Sequence, residues 1–434
     1  MKKTVKVMYQ KIIIDGECWK WDPVDEALVR EKADERTKNK DMDKGKETYN
    51  TLMQVAQYAP VTRAWFGPLF YLLISKPEDT EILLNKYLDK SVFYAKYLGD
   101  TLKNALPVAP FGSATYITYT YLSYYMFLEA LGDVCPGSLQ NITKFVSSGM
   151  RYEETVKLRF FKPHLNLNYF WNRSSLRKEQ LEICQVLEDF IKEIIDKKQS
   201  NAVSTSSNRQ YLNYLLEMNE QNKISMSGVI EESVFMFHAG SETIAVTIGS
   251  ALILLGIHPE IQEKVYEEIS SLLSDDTQSV TLEDVNKMYY LERVVKETLR
   301  LLPPVPFIVR KVDTEMQFDS YFVPAGCDIV IPVSQLHRLP DIWPNPLMFN
   351  PDRFLPEEVE KRPRGAFIPF SSGPRNCIGW KYAMLSMKVF LAIILKRFRV
   401  AESLDYKKVE DIDLDMCIVA TAKKGYRVRL EERN

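Results

Sequence analysis

Apolar positions along this chain change their period several times, and each period predicts a different element. Segment 1–66 begins with mixed charges and few apolar runs, so it is read as a polar N-terminal stretch without an assigned core role. From Gly67 the text GPLFYLLISKP is continuously apolar and β-prone, predicting a strand that ends at Pro77. Glu78, Asp79 and Thr80 then open a helix with Ile82, Leu83, Leu84 and Leu88 on one side. Helical periods recur over Tyr116–Leu131 and over Glu179–Lys198, where Ile183, Leu187, Ile191 and Ile195 make a stripe. Ser200–Arg209 reads as a serine-rich loop. A long apolar helix is predicted from Ser227 to Leu255, stopped near Gly256, and Pro259 opens the next. Thr281-Leu282-Glu283-Asp284 leads into the helix YYLERVVKETLRL, which Pro303 and Pro304 end.

Short strands are expected at FIVRKV, MQF, YFV and CDIVIPV, with turns at Asp319 and Gly326. The proline-rich text LPDIWPNPLMFNPDRFLP predicts an extended loop, followed by a cysteine loop and a closing helix from Ile378 to Arg397. CIVATAKKGYRVRLE predicts a hairpin around Lys424 and Gly425. The pattern is mainly α with a small β region, a single domain over 67–434.

Composition narrows the classes. The 434 residues are 46% hydrophobic and 26% charged, a profile that excludes a disordered chain. A formal net charge of −2 gives no reason to expect nucleic acid as a partner. Six cysteines without a CxxC pair argue against a disulfide framework and a zinc ribbon. No N-terminal apolar run approaches the ~20 residues a spanning helix needs, so no anchor is expected in this chain. The run Ile244–Ile257 is read as a buried helix, preceded by a polar notch at His238, Ser241 and Glu242. The aromatic text Phe160–Tyr169 suits either a core or a surface lying on a bilayer.

The candidate chemistry centres on FSSGPRNCIGW, Phe370–Trp380. A thiolate at Cys377 would gain from the N–H groups of the helix that follows, and Gly373 and Gly379 leave room for a flat, bulky group. Arg375 offers a cation to an anionic group. Three readings stand side by side: a nucleophile lacking an evident base, an axial thiolate ligand to haem iron, and an ordinary buried cysteine.

FSSGPRNCIG resembles the F-x-x-G-x-R-x-C-x-G signature of the cytochrome P450 family at Phe370, Gly373, Arg375, Cys377 and Gly379. The resemblance implies the cytochrome P450 fold, with non-covalent haem b between a long central helix and the cysteine loop. It makes Cys377 the axial ligand, with Phe370 on the sulfur side of the ring and Gly379 beside it. Glu297 and Arg300 of KETLR share a helix face, and with Arg353 of PDRF they resemble the family's buried glutamate–arginine–arginine lock. Arg310 matches a position that reaches a haem propionate, and His337 is read as a structural hydrogen-bonding residue. AGSET matches the family's A-G-x-[DE]-T over the distal haem face. There Ala239 replaces the glutamate that esterifies haem in one branch, Gly240 leaves room for oxygen, and Glu242 and Thr243 deliver protons.

The implied activity is a haem-thiolate monooxygenase that inserts one atom of O2 into a small lipophilic substrate such as a fatty acid, steroid or xenobiotic. Electrons would come from NADPH through NADPH–cytochrome P450 reductase or a similar donor. Such a donor would dock on the cysteine side, with Arg362, Arg364, Lys381 and Lys388 as a basic footprint. The implied location is the cytosolic face of the endoplasmic reticulum membrane. Two departures stand out: no anchor is visible, and LKNALPVAPFGSATYITYTYL (Leu102 onward) lacks the family's W-x-x-x-R helix, so the chain reads as shortened between about 100 and 125. The alternative those gaps raise is a haem-binding or structural remnant without turnover.

Overall fold

The computed structural model describes residues 4–6, 61–66, 69–90, 139–200, 211–273, 280–319, 321–416 and 418–433. The helix expected over Tyr116–Leu131, the serine-rich loop past Ser200 and the text without W-x-x-x-R lie outside the described residues. In chain order, β1 (Thr4–Lys6), β2 (Val61–Phe66) and β3 (Leu69–Ile74) precede α1 (Pro77–Lys86), α2 (Leu139–Phe161) and α3 (Ser175–Ser200). Next come α4 (Tyr211–Glu220), α5 (Met226–Ile257), α6 (Pro259–Leu272), α7 (Leu282–Lys287) and α8 (Tyr289–Leu301). Short strands β4 (Ile308–Lys311), β5 (Met316–Gln317), β6 (Phe322–Val323) and β7 (Asp328–Ile331) follow. The chain continues through α9 (Trp380–Arg397) to β8 (Phe398–Ser403), β9 (Leu414–Met416), β10 (Ala420–Ala422) and β11 (Arg427–Glu432).

Helix α5 is the axis. Ser225 caps it by accepting the Gly228 N–H at 3.1 Å, and it packs against α3, α4, α6, α8 and α9. It is long and apolar enough to cross a membrane, yet Ala251, Leu252, Ile253, Leu254 and Leu255 are sealed in the core. Buried hydroxyls on such a helix need partners, and Ser233 and Thr247 donate one turn back to Val229 and Thr243 carbonyls at 2.7 and 2.8 Å. At its C-terminal end, the Leu255 carbonyl accepts from the buried Gln262 side chain, which also pairs with both backbone groups of Val400. One amide thus ties α5, α6 and β8 together while satisfying a terminal carbonyl. The start of α8 is held by Glu268, whose carboxylate accepts the Tyr290 and Leu291 N–H groups at 2.7 and 2.8 Å.

The sheet beside these helices runs β2-β3-β7-β4, parallel only between β3 and β7. Its hairpin pairs Val61–Phe66 with Leu69–Ile74 across the boundary that the sequence reading set at 66. The C-terminal hairpin is corrected. β10 pairs back to β9, while β11 lies between β1 and β8, so the strands flanking Lys424 and Gly425 belong to different sheets. The turn exists, with Gly425 at φ 83, but β10 takes its partners from β9 and β11 takes its own from β1 and β8.

Candidate functional site

The cysteine loop lies against α1. Gly373 has φ 75, and a Cβ there would stand 2.6 Å from the Leu84 carbonyl of that helix. Its bare backbone therefore serves loop–helix packing and does not clear space for a flat group, a correction to the sequence reading. A Cβ on Gly379 would meet nothing within 4 Å. The Cys377 N–H donates to the Phe370 carbonyl at 2.7 Å and closes the loop. Cys377 is open to solvent-sized contact, yet surrounding protein raises its thiol pKa; the Gly379 N–H and Lys90 pull the other way. The sequence reading had the helix start favouring the thiolate; burial acts in the opposite direction and favours the thiol.

Arg375 and Arg310 are 6% and 2% exposed, so two guanidiniums are buried beside this loop. Arg310 donates to Ser371 Oγ at 3.4 Å, and Ser371 holds φ 63, a left-handed conformation that costs energy for a residue with a Cβ. Sequence reasoning singled out neither Ser371 nor Lys90, which bridges to Arg310 from the chain after α1. No local motif marks either; only the tertiary path brings them here.

Beneath the loop, Glu297 and Arg300 are fully buried and paired through two hydrogen bonds of 2.7 and 2.8 Å. Arg300 also donates to the carbonyls of His337, Pro346 and Met348, while Glu297 accepts the Asn350 N–H at 2.9 Å. Arg353 approaches Glu297 at 3.5 Å and binds the Pro344 and Asn345 carbonyls at 2.6 and 2.9 Å. The proline-rich segment has few N–H groups with which to satisfy those carbonyls, and the two arginines supply the donors. His337 Nε2 accepts the Ile368 N–H at 2.9 Å, and burial, then Arg300, pushes its ring down to about 3.

On α5 the apolar clusters leave a gap. Val229, Ile230 and Val234, flanked by Phe235–Phe237, pack in one cluster; Ile244 and Val246 pack in another. Ala239, Gly240, Glu242 and Thr243 belong to neither and are part-accessible, as Phe235–His238 just before them are. Ile378, next to Cys377, packs on the first cluster and Phe370 on the second. Thr243 Oγ1 donates to the Ala239 carbonyl at 2.8 Å. His238, one residue before the motif, lies against Gly149 of α2, where a Cβ would stand 1.7 Å from the ring; burial pushes the imidazole down to about 4.

The expected basic footprint is reduced. Lys388 is buried and paired with Glu292 at 3.1 Å, which removes it from any docking surface. Arg362 stacks on Trp343 and Phe354, while Arg364 and Lys381 are exposed.

A family model described as Cytochrome P450 matches residues 95–430. The chain belongs to the cytochrome P450 family. It is similar to Cytochrome P450 4c21 of Blattella germanica, 33% identical over 320 residues that cover 70% of this chain and 63% of that protein. It is also similar to human Cytochrome P450 4V2, 28% identical over 456 residues that cover 90% of this chain and 86% of the relative. A third relative, Cytochrome P450 4g15 of Drosophila melanogaster, is 37% identical over 239 residues, 54% of this chain and 41% of that protein.

Proposed function

We propose that this chain is a haem-thiolate monooxygenase of lipophilic substrates in which the sulfur of Cys377 would hold the haem iron. The carrying observation is the residue set: an accessible cysteine in the loop, part-accessible Ala239, Gly240, Glu242 and Thr243 on α5, and two buried arginines beside the loop. That donor set suits haem, which needs one thiolate, apolar walls and cations for its carboxylates. Bound there, haem supplies the redox chemistry that activates O2, and iron coordination would keep Cys377 deprotonated despite its burial. Arg375 and Arg310 hold the propionate side. Gly240 keeps the distal wall low. Thr243, its hydroxyl already aimed along the helix, and Glu242 beside it move protons on the distal side. The apolar clusters exclude water and select for lipophilic molecules, fatty acids among them. Glu297, Arg300 and Arg353 brace the proline-rich segment beneath the loop.

Exposed Lys381 and Arg364 support docking of an electron donor charged by NADPH. Leu167, Tyr169 and Phe170, exposed between α2 and α3 beside Arg173, support contact with a membrane surface such as the endoplasmic reticulum. The alternative reading, haem binding without turnover, draws on one observation. The 456 aligned positions with the human relative cover 90% of a 434-residue chain, so that alignment opens gaps in this chain. The decisive experiment reduces the purified chain under carbon monoxide. A red-shifted thiolate Soret band is expected in the parent and its loss in Cys377→Ala; the same band in both would overturn the assignment.

A further inference from the structure

An ion pair joins helix α2 to the C-terminal strands. Lys157 Nζ donates to Asp415 Oδ1 of β9 at 2.6 Å, across 258 positions of sequence. Both charges are largely withdrawn from water, with 8% of the lysine side chain and 21% of the aspartate exposed. The two partners belong to different apolar bodies. Helix α2 packs on α3, which packs on α5; Arg151 donates to Glu179 of α3 at 2.6 Å and Gln180 to Thr155 at 3.0 Å. Tyr152 and Val156 of α2 lie in the cluster shared with α3, α4 and the first half of α5. Strands β9 and β10 put Leu414, Ala420 and Ala422, with Val419 just before β10, into the other cluster. The Ala420 N–H also donates to the Pro304 carbonyl at 2.8 Å, which ties the hairpin to the end of α8. Ile418 packs on the first cluster, so it and the ion pair bridge two bodies that each have their own core.

The kind of bond decides what this bridge can do. Apolar surfaces pulled apart lose their burial outright. An ion pair pulled apart regains the hydration it gave up, and that gain offsets much of the attraction lost. A charged link between two apolar bodies is therefore a joint that opens while both cores stay intact. We propose that Lys157 and Asp415 form a clasp: α2 and α3 lift from the β9–β10 hairpin when the pair separates and settle back when it re-forms. The joint lies between the same two clusters that flank Ala239–Thr243 along α5. Opening it would let a long lipophilic molecule pass, and that role rests on the haem-thiolate reading; the clasp itself does not.

Amide hydrogen exchange on the full chain tests the clasp without any ligand. Lys157→Met keeps a buried stem and removes the charge. In it, amides of α2 and β9 are expected to exchange about tenfold faster than in the parent, while those of α8 and α9 keep their rates. Asp415→Asn should act in the same way, and the double variant should exchange no faster than the faster single one. Unchanged rates, faster exchange in α8 and α9 as well, or strictly additive effects would each overturn the clasp. A second measurement follows the Soret shift of the haem-loaded chain on mixing with imidazole and with dodecylimidazole. The long ligand should enter and leave Lys157→Met about tenfold faster than the parent, and imidazole at an unchanged rate. Equal changes for both ligands would overturn the role in passage. A chain that takes up no haemin would defeat the haem-thiolate reading and the passage with it, and the exchange rates would still decide the clasp.

Discussion

Single residues in this molecule are tuned chiefly by burial. His337 is fully enclosed, accepts an N–H through Nε2 and is pushed down to about 3 by burial and then by Arg300. A neutral folded imidazole has a direct consequence for stability. Below its ordinary pKa near 6.5 the unfolded chain binds a proton that the folded chain refuses, so stability rises with pH across that window and is lost as pH falls. Between about pH 7 and about pH 5 this one group should remove about 2 kcal/mol from the unfolding free energy. Urea unfolding at both pH values checks it. His337→Gln, whose side-chain oxygen can accept the same N–H, should show a decline smaller by that amount. An unchanged decline would acquit His337. Cys377, Arg375 and the Glu297–Arg300 pair could be singled out in the sequence because they stand in stretches that resemble cytochrome P450 motifs. Lys90 and Ser371 were not, since neither has a local pattern and both depend on how distant segments meet.

Elements meet where side chains are absent. Helix α2 crosses α5 at Gly149, with the His238 ring filling the place of a missing methyl. Gly149→Ala should therefore force the helices apart or rotate His238, with a cost on the order of 1–3 kcal/mol. His238→Ala opens a void of its own. The double variant should recover part of both losses, giving a coupling of about 0.5–3 kcal/mol in a cycle of thermal or urea unfolding. Strict additivity would mean the crossing is not set by this contact. Helix periods and their stops were read closely: α5 begins and ends within two residues of its expected bounds, because its cap and the following proline are local signals. The final hairpin was misread for the opposite reason. A Lys-Gly turn states that the chain reverses but not which strands pair, and here pairing is decided by β8 and β9, more than ten residues away in some cases.

At the scale of the whole molecule the residues of the proposed site come from several elements, not from one. α1, the chain at Lys90, β4, the cysteine loop and α5 each contribute, and the two apolar clusters stop short of one another along α5. A site assembled in this way ties several segments together, so whatever fills it should stabilise the entire fold. For a ligand that binds only the folded state, stabilisation grows as RT ln(1 + [L]/Kd), about 2.7 kcal/mol at a hundredfold excess over Kd. Haemin added to the free chain should accordingly raise the thermal midpoint in a concentration-dependent way, by roughly 2–4 °C per kcal/mol for a chain at the upper end of ordinary domain size. Removing haem should reverse the gain. Metal-free protoporphyrin IX, which keeps the propionates and ring, should give a comparable rise in Cys377→Ser and parent if the carboxylate edge supplies much of the affinity. Haemin should discriminate between them, because only iron draws fully on the sulfur. A thermal midpoint indifferent to haemin would mean that these residues do not make a haemin site, and that the folded chain holds together through the helices around α5 alone.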